Sequence, residues 1–264
     1  MLVLAIDTAG ENCSAILAED GWILAKAEAV IGKGHAEILP NQIKKLMSEG
    51  GREFSDIDRI GVNIGPGSFT GARVGVAAAR ALALALDIDA AGISAFDALY
   101  MQAMEILRKR RQEPAAVLAV LSAPQNSFYT QYFSAEGAAD EDAADAPRHM
   151  TAAEAAAFAA EKLKNEKPFY LICSGAADLA ARLSEKDAAK TEILNAGSTA
   201  DIVCFALCAM AKEDSELIDP PAPLYMRPPD AKPQIMPPLA EIKQQFRAEK
   251  RADSKPESKT ETAA

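Results

Sequence analysis

The residues best placed to do chemistry are few. Gly65-Pro66-Gly67-Ser68-Phe69-Thr70-Gly71 is the densest glycine cluster in the chain, and it falls between a strand-like run, Arg59 to Ile64, and a long apolar segment. Backbone N–H groups in a loop that opens a helix can cradle an anion. The loop is not a Walker A motif, because no Gly-Lys-Ser/Thr follows. It misses the dinucleotide fingerprint by one residue, its third glycine arriving at Gly71. Pro66, two residues before Ser68, departs from a nucleophile elbow. Three readings stay open: a tight turn that lets strand and helix pack closely, a contact to an anion or nucleotide, and a loop that docks a partner. Asp7-Thr8, closing the run Leu2 to Thr8, is a second polar point at a strand end. The two histidines, His35 and His149, form no metal-binding pair, and His35-Ala36-Glu37 reads as the opening of a helix. No serine has the surroundings of an activated nucleophile.

The elements that position these residues follow from hydrophobic spacing. Leu2 to Thr8 is a continuous apolar run of the kind buried on both faces of a sheet. Cys13 to Ala18 and Trp22 to Val30 flank Glu19-Asp20-Gly21, a hairpin signal. His35 to Gly50 predicts a helix, with Leu39, Ile43, Leu46 and Met47 on one stripe and Pro40 bending it. The strand Arg59 to Ile64, the glycine loop and a helix from about Ala72 to Leu86 come next. A strand at Ala91 to Ser94 and a helix from Ala95 to Arg110, capped by Ser94, complete the half. After Pro114 the plan repeats. Strands at Ala115 to Leu121 and Ser127 to Phe133 precede an acidic loop carrying Glu136, Asp140, Glu141, Asp142 and Asp145. Helix Thr151 to Lys164, strand Phe169 to Cys173, helix Ala176 to Leu183, strand Glu192 to Leu194 and helix Thr199 to Lys212 follow. Element order recurring with a period of roughly 110 residues is an internal duplication. It predicts an α/β, actin-like fold of two facing domains, 1–110 and 111–227, with the last helix packing back on the first. Eight of the 15 prolines fall between Pro220 and Pro238. Residues 228–264 read as a disordered, Pro-rich and charged tail with at most a fraying helix near Leu239 to Lys250.

In kinases and ATPases of that fold the turn matching Asp7-Thr8 faces the nucleotide phosphates. The second half should supply a companion turn. It offers Ser122-Ala123-Pro124-Gln125-Asn126, with no carboxylate, no glycine and one N–H removed by proline. Gly175-Ala176 is thin for an adenosine contact. Phosphotransfer by this chain is therefore the weaker expectation. The helix after the glycine loop says more. From Val74 to Leu86 only Arg80 is polar, and a helix apolar all round must be covered all round. A partner surface is expected, built with helix 35–49 from His35, Leu39, Ile43, Leu46, Arg73, Val76, Ala79, Arg80 and Ala83. A glutamate at Val76 or Ala79 should break the pairing and spare the fold.

Composition bounds the rest. With 28 basic and 38 acidic side chains the chain carries a net charge of -10, the wrong sign for gripping nucleic acid alone. Four scattered cysteines in apolar runs resemble reduced core thiols. Val74 to Leu86 falls short of the roughly 20 residues a membrane span needs, and Met1 to Leu4 lacks the marks of a secretion signal. A cytoplasmic protein without membrane contact is expected.

Four blocks now stand in order: Leu4-Ala5-Ile6-Asp7-Thr8, His35-Ala36-Glu37-Ile38-Leu39-Pro40, Gly65 through Gly71 continuing Ala72-Arg73-Val74-Gly75, and Pro223-Leu224-Tyr225-Met226-Arg227. Together they resemble the TsaB (YeaZ) family. The resemblance implies an actin-like (ASKHA) fold and a part in making N6-threonylcarbamoyladenosine at position 37 of tRNAs that read codons starting with A. It implies a subunit that is no enzyme by itself: a scaffold or activator forming a heterodimer with the catalytic TsaD, joined by the ATPase TsaE and supplied by a TsaC-type enzyme. It also implies a homodimer when alone, tRNA bound only through the complex, no cofactor of its own, and ATP and metal held by the partners. Asp7, Thr8 and the loop Gly65, Pro66, Gly67, Ser68, Phe69, Thr70, Gly71 become a nucleotide or subunit-junction contact. The alternative is an independent actin-like ATP-dependent phosphotransferase or ATPase with Asp7 and Thr8 at the phosphates. The chain departs from the family at Ser122-Ala123-Pro124, where an Asp-Ala-Arg turn is usual, and in its tail past Arg227.

Overall fold

Every residue of Leu2–Asp7 is buried, as a continuous apolar strand inside a sheet must be, and this is β1 of the computed structural model. The structure describes residues 1–227, apart from 33, 136, 139–145, 165–167 and 195–196. Antiparallel strands β2 (Asn12–Glu19) and β3 (Trp22–Val30) extend β1 on one side. Parallel strands β4 (Arg59–Gly65) and β5 (Asp89–Ser94) extend it on the other, giving the order β3-β2-β1-β4-β5. Helices α1 (His35–Gly50), α2 (Phe69–Leu86) and α3 (Ala95–Lys109) connect them.

The second half repeats this plan. β6 (Ala116–Ala123) pairs antiparallel with β7 (Ser127–Ser134), which also pairs with the short strands β8 (Gly137–Ala138) and β9 (Arg148–Thr151). Helix α4 (Ala152–Lys162) leads to β10 (Phe169–Ile172), parallel to β6. Helices α5 (Ala176–Ala180) and α6 (Glu185–Ala188) lead to β11 (Thr191–Leu194), parallel to β10, and α7 (Ile202–Ala211) follows. The path β11-β10-β6-β7 matches β5-β4-β1-β2 strand for strand, so the chain has the duplicated actin-like α/β architecture.

Alternation along the strands sorts the core into layers. Leu2, Leu4 and Ile6 pack with Leu39, Ile43 and Leu46 of α1 and Val76, Ala79 and Ala83 of α2. Val3 and Ala5 face the opposite layer, which holds Phe96 and Leu99 of α3 and Phe205 and Ala209 of α7. That layer also takes Val117, Ala119 and Leu121 from β6, so α3 and α7 are shared by both sheets. The far face of the second sheet, with Leu118, Val120 and Phe128, is covered by α4 and α5.

Several boundaries differ from the sequence reading, each for a local reason. α2 starts three residues early, because the Ser68 hydroxyl accepts the Gly71 N–H and caps the helix there. The second half of the glycine segment is thus the first turn of a helix. At 18 residues α2 is long and apolar enough to cross a membrane by length and composition, contrary to expectation. A third of it is buried, and its inner side packs on β4 as one face of the α/β layer. Thr151 does not begin α4: it caps it in a reciprocal box with Glu154, at the end of the unforeseen strand β9. The helix read over Ala176 to Leu183 stops at Ala180, with α6 a separate turn. The acidic loop residues Glu136, Asp140, Glu141, Asp142 and Asp145, and the tail helix, lie outside the described residues.

One buried cation fastens α7. Arg59, at the start of β4, is 7% exposed. Its Nη1 donates to the carbonyls of Ala209 (2.9 Å) and Lys212 (2.7 Å), and Nη2 donates to Asp214 (2.8 Å). A cation satisfying the last carbonyls of a helix also opposes the negative end of its dipole. Arg59→Met is expected to lower unfolding stability by about 2 kcal/mol in urea titrations, since bonds to charged groups are the stronger class.

Candidate functional site

The Asp7-Thr8 turn and the glycine segment meet at the C-terminal ends of β1 and β4, and the glycines are what allow the meeting. A Cβ on Gly71 would lie 1.9 Å from the Thr8 carbonyl oxygen, one on Gly67 would lie 2.4 Å from that of Ala9, and one on Gly75 would lie 2.6 Å from Thr8 Oγ1. The same surfaces bond to each other. The Thr8 hydroxyl donates to the Gly71 carbonyl (2.7 Å), and the Ser68 N–H donates to the Ala9 carbonyl (2.6 Å). This geometry is that of a tight turn packed against the Asp7-Thr8 turn. The peptide bond between Gly65 and Pro66 is cis.

Asp7 is 2% exposed and spends both carboxylate oxygens inside the chain. Oδ1 accepts the Ala9 N–H and the Asn63 amide, each at 2.8 Å, and Oδ2 accepts the Thr199 hydroxyl at 3.0 Å. Asn63 in turn accepts the Gly65 N–H through its own Oδ1 (2.8 Å). Burial pushes the Asp7 carboxyl above its ordinary range, outweighing the three bonds that favour its ionised form. Asp7 therefore acts as a hub that ties the β1 turn to β4 and to the segment before α7. Asn63 and Thr199 went unnoticed in the sequence, where nothing in their surroundings marks them. Cys13, on the neighbouring strand, is pushed up to about 11, by burial first and by the Asp7 charge second. His35 is buried at the start of α1, and its Nε2 meets no partner among the described residues.

The partner-surface residues divide sharply, and most of the expectation is corrected. His35, Leu39, Ile43 and Leu46 of α1, and Val76, Ala79 and Ala83 of α2, are buried in the chain's own core and cannot face a partner. A glutamate at Val76 or Ala79 would strike that core and not a docking surface. The physical reason is the side on which the small residues fall: Gly71 and Gly75 press against Thr8, which turns Val76, Ala79 and Ala83 inward. Arg73 and Arg80 do face outward, with Phe69, Thr70, Ala77, Ala81 and Leu84. Leu84 is 85% exposed and Phe69 42%.

The last sequence block closes over the same corner. The Leu224 N–H donates to the Ile64 carbonyl at 2.7 Å, beside the glycine turn. Tyr225 stands 5.2 Å from Phe69 between ring centroids, and its hydroxyl accepts from Arg73 Nε at 2.7 Å. The Arg73 guanidinium carbon lies 3.7 Å from the Phe69 centroid, a cation–π contact. At the second half's companion turn, Ser127 Oγ donates to the Pro124 carbonyl (2.6 Å) and lies 2.8 Å from His149 Nε2, while the Ser174 hydroxyl accepts the Ser122 N–H (3.0 Å). That turn, too, is bonded to its own neighbours.

The Asp7 hub yields a pH dependence with a definite sign. A carboxyl whose pKa is raised on folding contributes stability that is complete below its unfolded value and is lost as pH climbs through the folded one. In Asp7→Asn, Oδ1 can still accept from Ala9 and Asn63, and the new amide can donate to Thr199. The variant is expected to match the parent in acid and to become the more stable of the two as pH rises towards neutrality, in paired denaturation curves. Gly71→Ala, by contrast, should lose about 3 kcal/mol or more, because the atom it strikes is backbone.

Residues 29–171 of the chain match the family model described as TsaD: tRNA N6-adenosine threonylcarbamoyltransferase. The chain is 33% identical over 129 residues to the tRNA threonylcarbamoyladenosine biosynthesis protein TsaB of Escherichia coli, covering 49% of this chain and 53% of that protein. It is 31% identical over 99 residues to the protein of the same name from Bacillus subtilis, covering 38% of this chain and 43% of that one. The matched region thus spans about half the length of these curated relatives. Among solved structures, YeaZ from Pseudomonas aeruginosa superposes with a TM-score of 0.62 at 20% identity, over 85% of this chain and 99% of that one. A second Pseudomonas aeruginosa structure, described as similar to peptidase YEAZ, gives 0.64 at 21% identity, over 86% and 99%. At such identities the structural likeness carries the fold. With more than half its residues inside that family model and TsaB proteins among its relatives, the chain belongs to the TsaB/YeaZ family.

Proposed function

We propose that this chain is a non-catalytic scaffold or activator subunit in the formation of N6-threonylcarbamoyladenosine at position 37 of tRNAs reading codons that start with A. The supporting observation is the outer face of α2, where Phe69, Ala77, Ala81 and Leu84 lie open to solvent on a helix whose inner face is already filled by its own sheet. Exposed apolar side chains gathered on one helix face support an interaction surface. Its occupant in this reading is TsaD, the catalytic relative, in a heterodimer that TsaE joins, with a second copy of the chain taking the place when TsaD is absent.

The work of this chain is then positional. The Asp7 hub and the Thr8–Gly71 contact hold α2 at a fixed height over the sheet, and α2 presents its stripe at that height to the partner. Asp7 gives its carboxylate oxygens to Ala9, Asn63 and Thr199, which suits a keystone better than a group that meets phosphate-bound metal. ATP, metal and the threonylcarbamoyl transfer fall to the partner subunits, and tRNA binds through the complex, in keeping with a net charge of -10. The setting for such a complex is the cytoplasm.

The test combines binding with activity. Leu84→Asp and Ala77→Glu, both on the exposed stripe, are expected to abolish co-elution with TsaD and to stop threonylcarbamoyl transfer in a reconstituted mixture. Unfolding stability should stay within about 0.5 kcal/mol of the parent, as surface changes do. Full tRNA modification by TsaD without this chain would overturn the proposal, as would tight Mg-ATP binding with turnover by this chain alone.

A further inference from the structure

Of the strands that end the two sheets, β3 is the longest, at 9 residues against 6 for β5, 4 for β11 and 2 for β8. Its pairing with β2 sets which main-chain groups face outward. Val30 is registered with Asn12, and the Ile31 N–H donates to the Glu11 carbonyl at 3.1 Å. Bonding alternates along an antiparallel ladder, so Ala25, Ala27 and Ala29 turn their main-chain groups towards β2, and Lys26, Glu28 and Val30 turn theirs outward. Among the described residues no strand or loop bonds to that outer edge. A bulge opposite Leu17 and Ala18 confines the regular edge to the stretch after Leu24. Ile23, just before that stretch, and Val30, at its end, are 52% and 78% exposed. An edge of this kind is a template for another strand.

We propose that two copies of this chain join edge to edge through β3, antiparallel, about a two-fold axis at Ala27. The charges select that register. Centred on Ala27, Lys26 of each copy stands opposite Glu28 of the other, and the outward main-chain groups of these residues meet as a hydrogen-bonded pair. Centred on Lys26, lysine would oppose lysine, and centred on Glu28, carboxylate would oppose carboxylate. An axis at Ala25 or Ala29 sets Lys26 against Leu24 or Glu28 against Val30. A lysine alone guards an edge against pairing. Here the carboxylate two residues on supplies its counterpart in a second copy, as a self-complementary two-fold contact requires. Within one chain Lys26 Nζ lies 3.0 Å from Asp201 and 3.8 Å from Glu28, and Asn12 donates to Glu28 at 2.7 Å. Both side chains nevertheless remain exposed. The Ile23 end of one copy meets the Val30 end of the other, covering apolar side chains that a lone chain leaves in water. Since β3 and β4 lie on opposite sides of β1, and α2 packs on β4, this contact is separate from the α2 face. It leaves the associations proposed for that face in place and does not rest on them.

The test uses the full chain carrying Leu84→Asp, which removes association through α2, and follows self-association by sedimentation velocity. A concentration-dependent dimer is expected. Lys26→Glu sets carboxylates against carboxylates and should weaken that dimer about tenfold or more, and Glu28→Lys, which sets lysines against lysines, should do the same. An equimolar mixture of the two variants restores opposite charges at both positions and should recover the dimer, a result that mere destabilisation cannot give. Circular dichroism checks the fold of each. A Leu84→Asp chain that stays monomeric would overturn the proposal and leave the edge to an extended segment of another protein. Charge variants that associate like the parent would also overturn it, as would a mixture that associates no better than its components.

Discussion

The architecture of the first half depends on one contact between two pieces of backbone. The carbonyl of Thr8 and the first turn of α2 approach so closely that Gly71 has no room for even one carbon beyond the main chain. Because both partners are backbone, neither can yield by changing rotamer. The contact sets the height of α2 over the sheet, which stripe of the helix is buried and which is left to solvent. Asp7 braces it from below through Asn63 and Thr199, and Leu224 and Tyr225 brace it from the side. Residues from both ends of the described chain therefore converge on a feature only a few atoms wide.

The two halves share a strand plan and differ in their turns. In the first, a buried carboxylate organises the turn between β1 and β2. In the second, the equivalent turn between β6 and β7 is organised by serine hydroxyls and a proline carbonyl. Duplication of a scaffold preserves the positions of strand ends and leaves the chemistry at each end free to diverge. Here one copy is braced by a buried carboxyl group and the other by hydroxyls, a main-chain carbonyl and the Arg182 guanidinium, which donates to Asn126 at 2.9 Å.

Much of the fold could be read in the sequence, because the both-face-buried segments 2–6 and 116–121 are unbroken apolar runs and the cap at Ser94 carries its usual residue type. The orientation of α2 could not. An alanine-rich segment has nearly the same polarity on every side, so its facing is decided by Thr8, far off in sequence and absent from any local pattern. The partners of Asp7 were hidden for the same reason, lying 56 and 192 residues away. Strand β9 escaped notice because four residues are too few to show a period. What was legible was local, and what was missed came from contacts between distant segments.

The shared layer of α3 and α7 bears on how the molecule can move. Phe96, Phe133 and Phe205 are completely enclosed between the sheets, and Arg59 clasps the end of α7 to the first sheet. Parting the halves like jaws would wet that aromatic seam. The two halves within residues 1–227 should therefore move together as one stiff block, with no hinge at this seam.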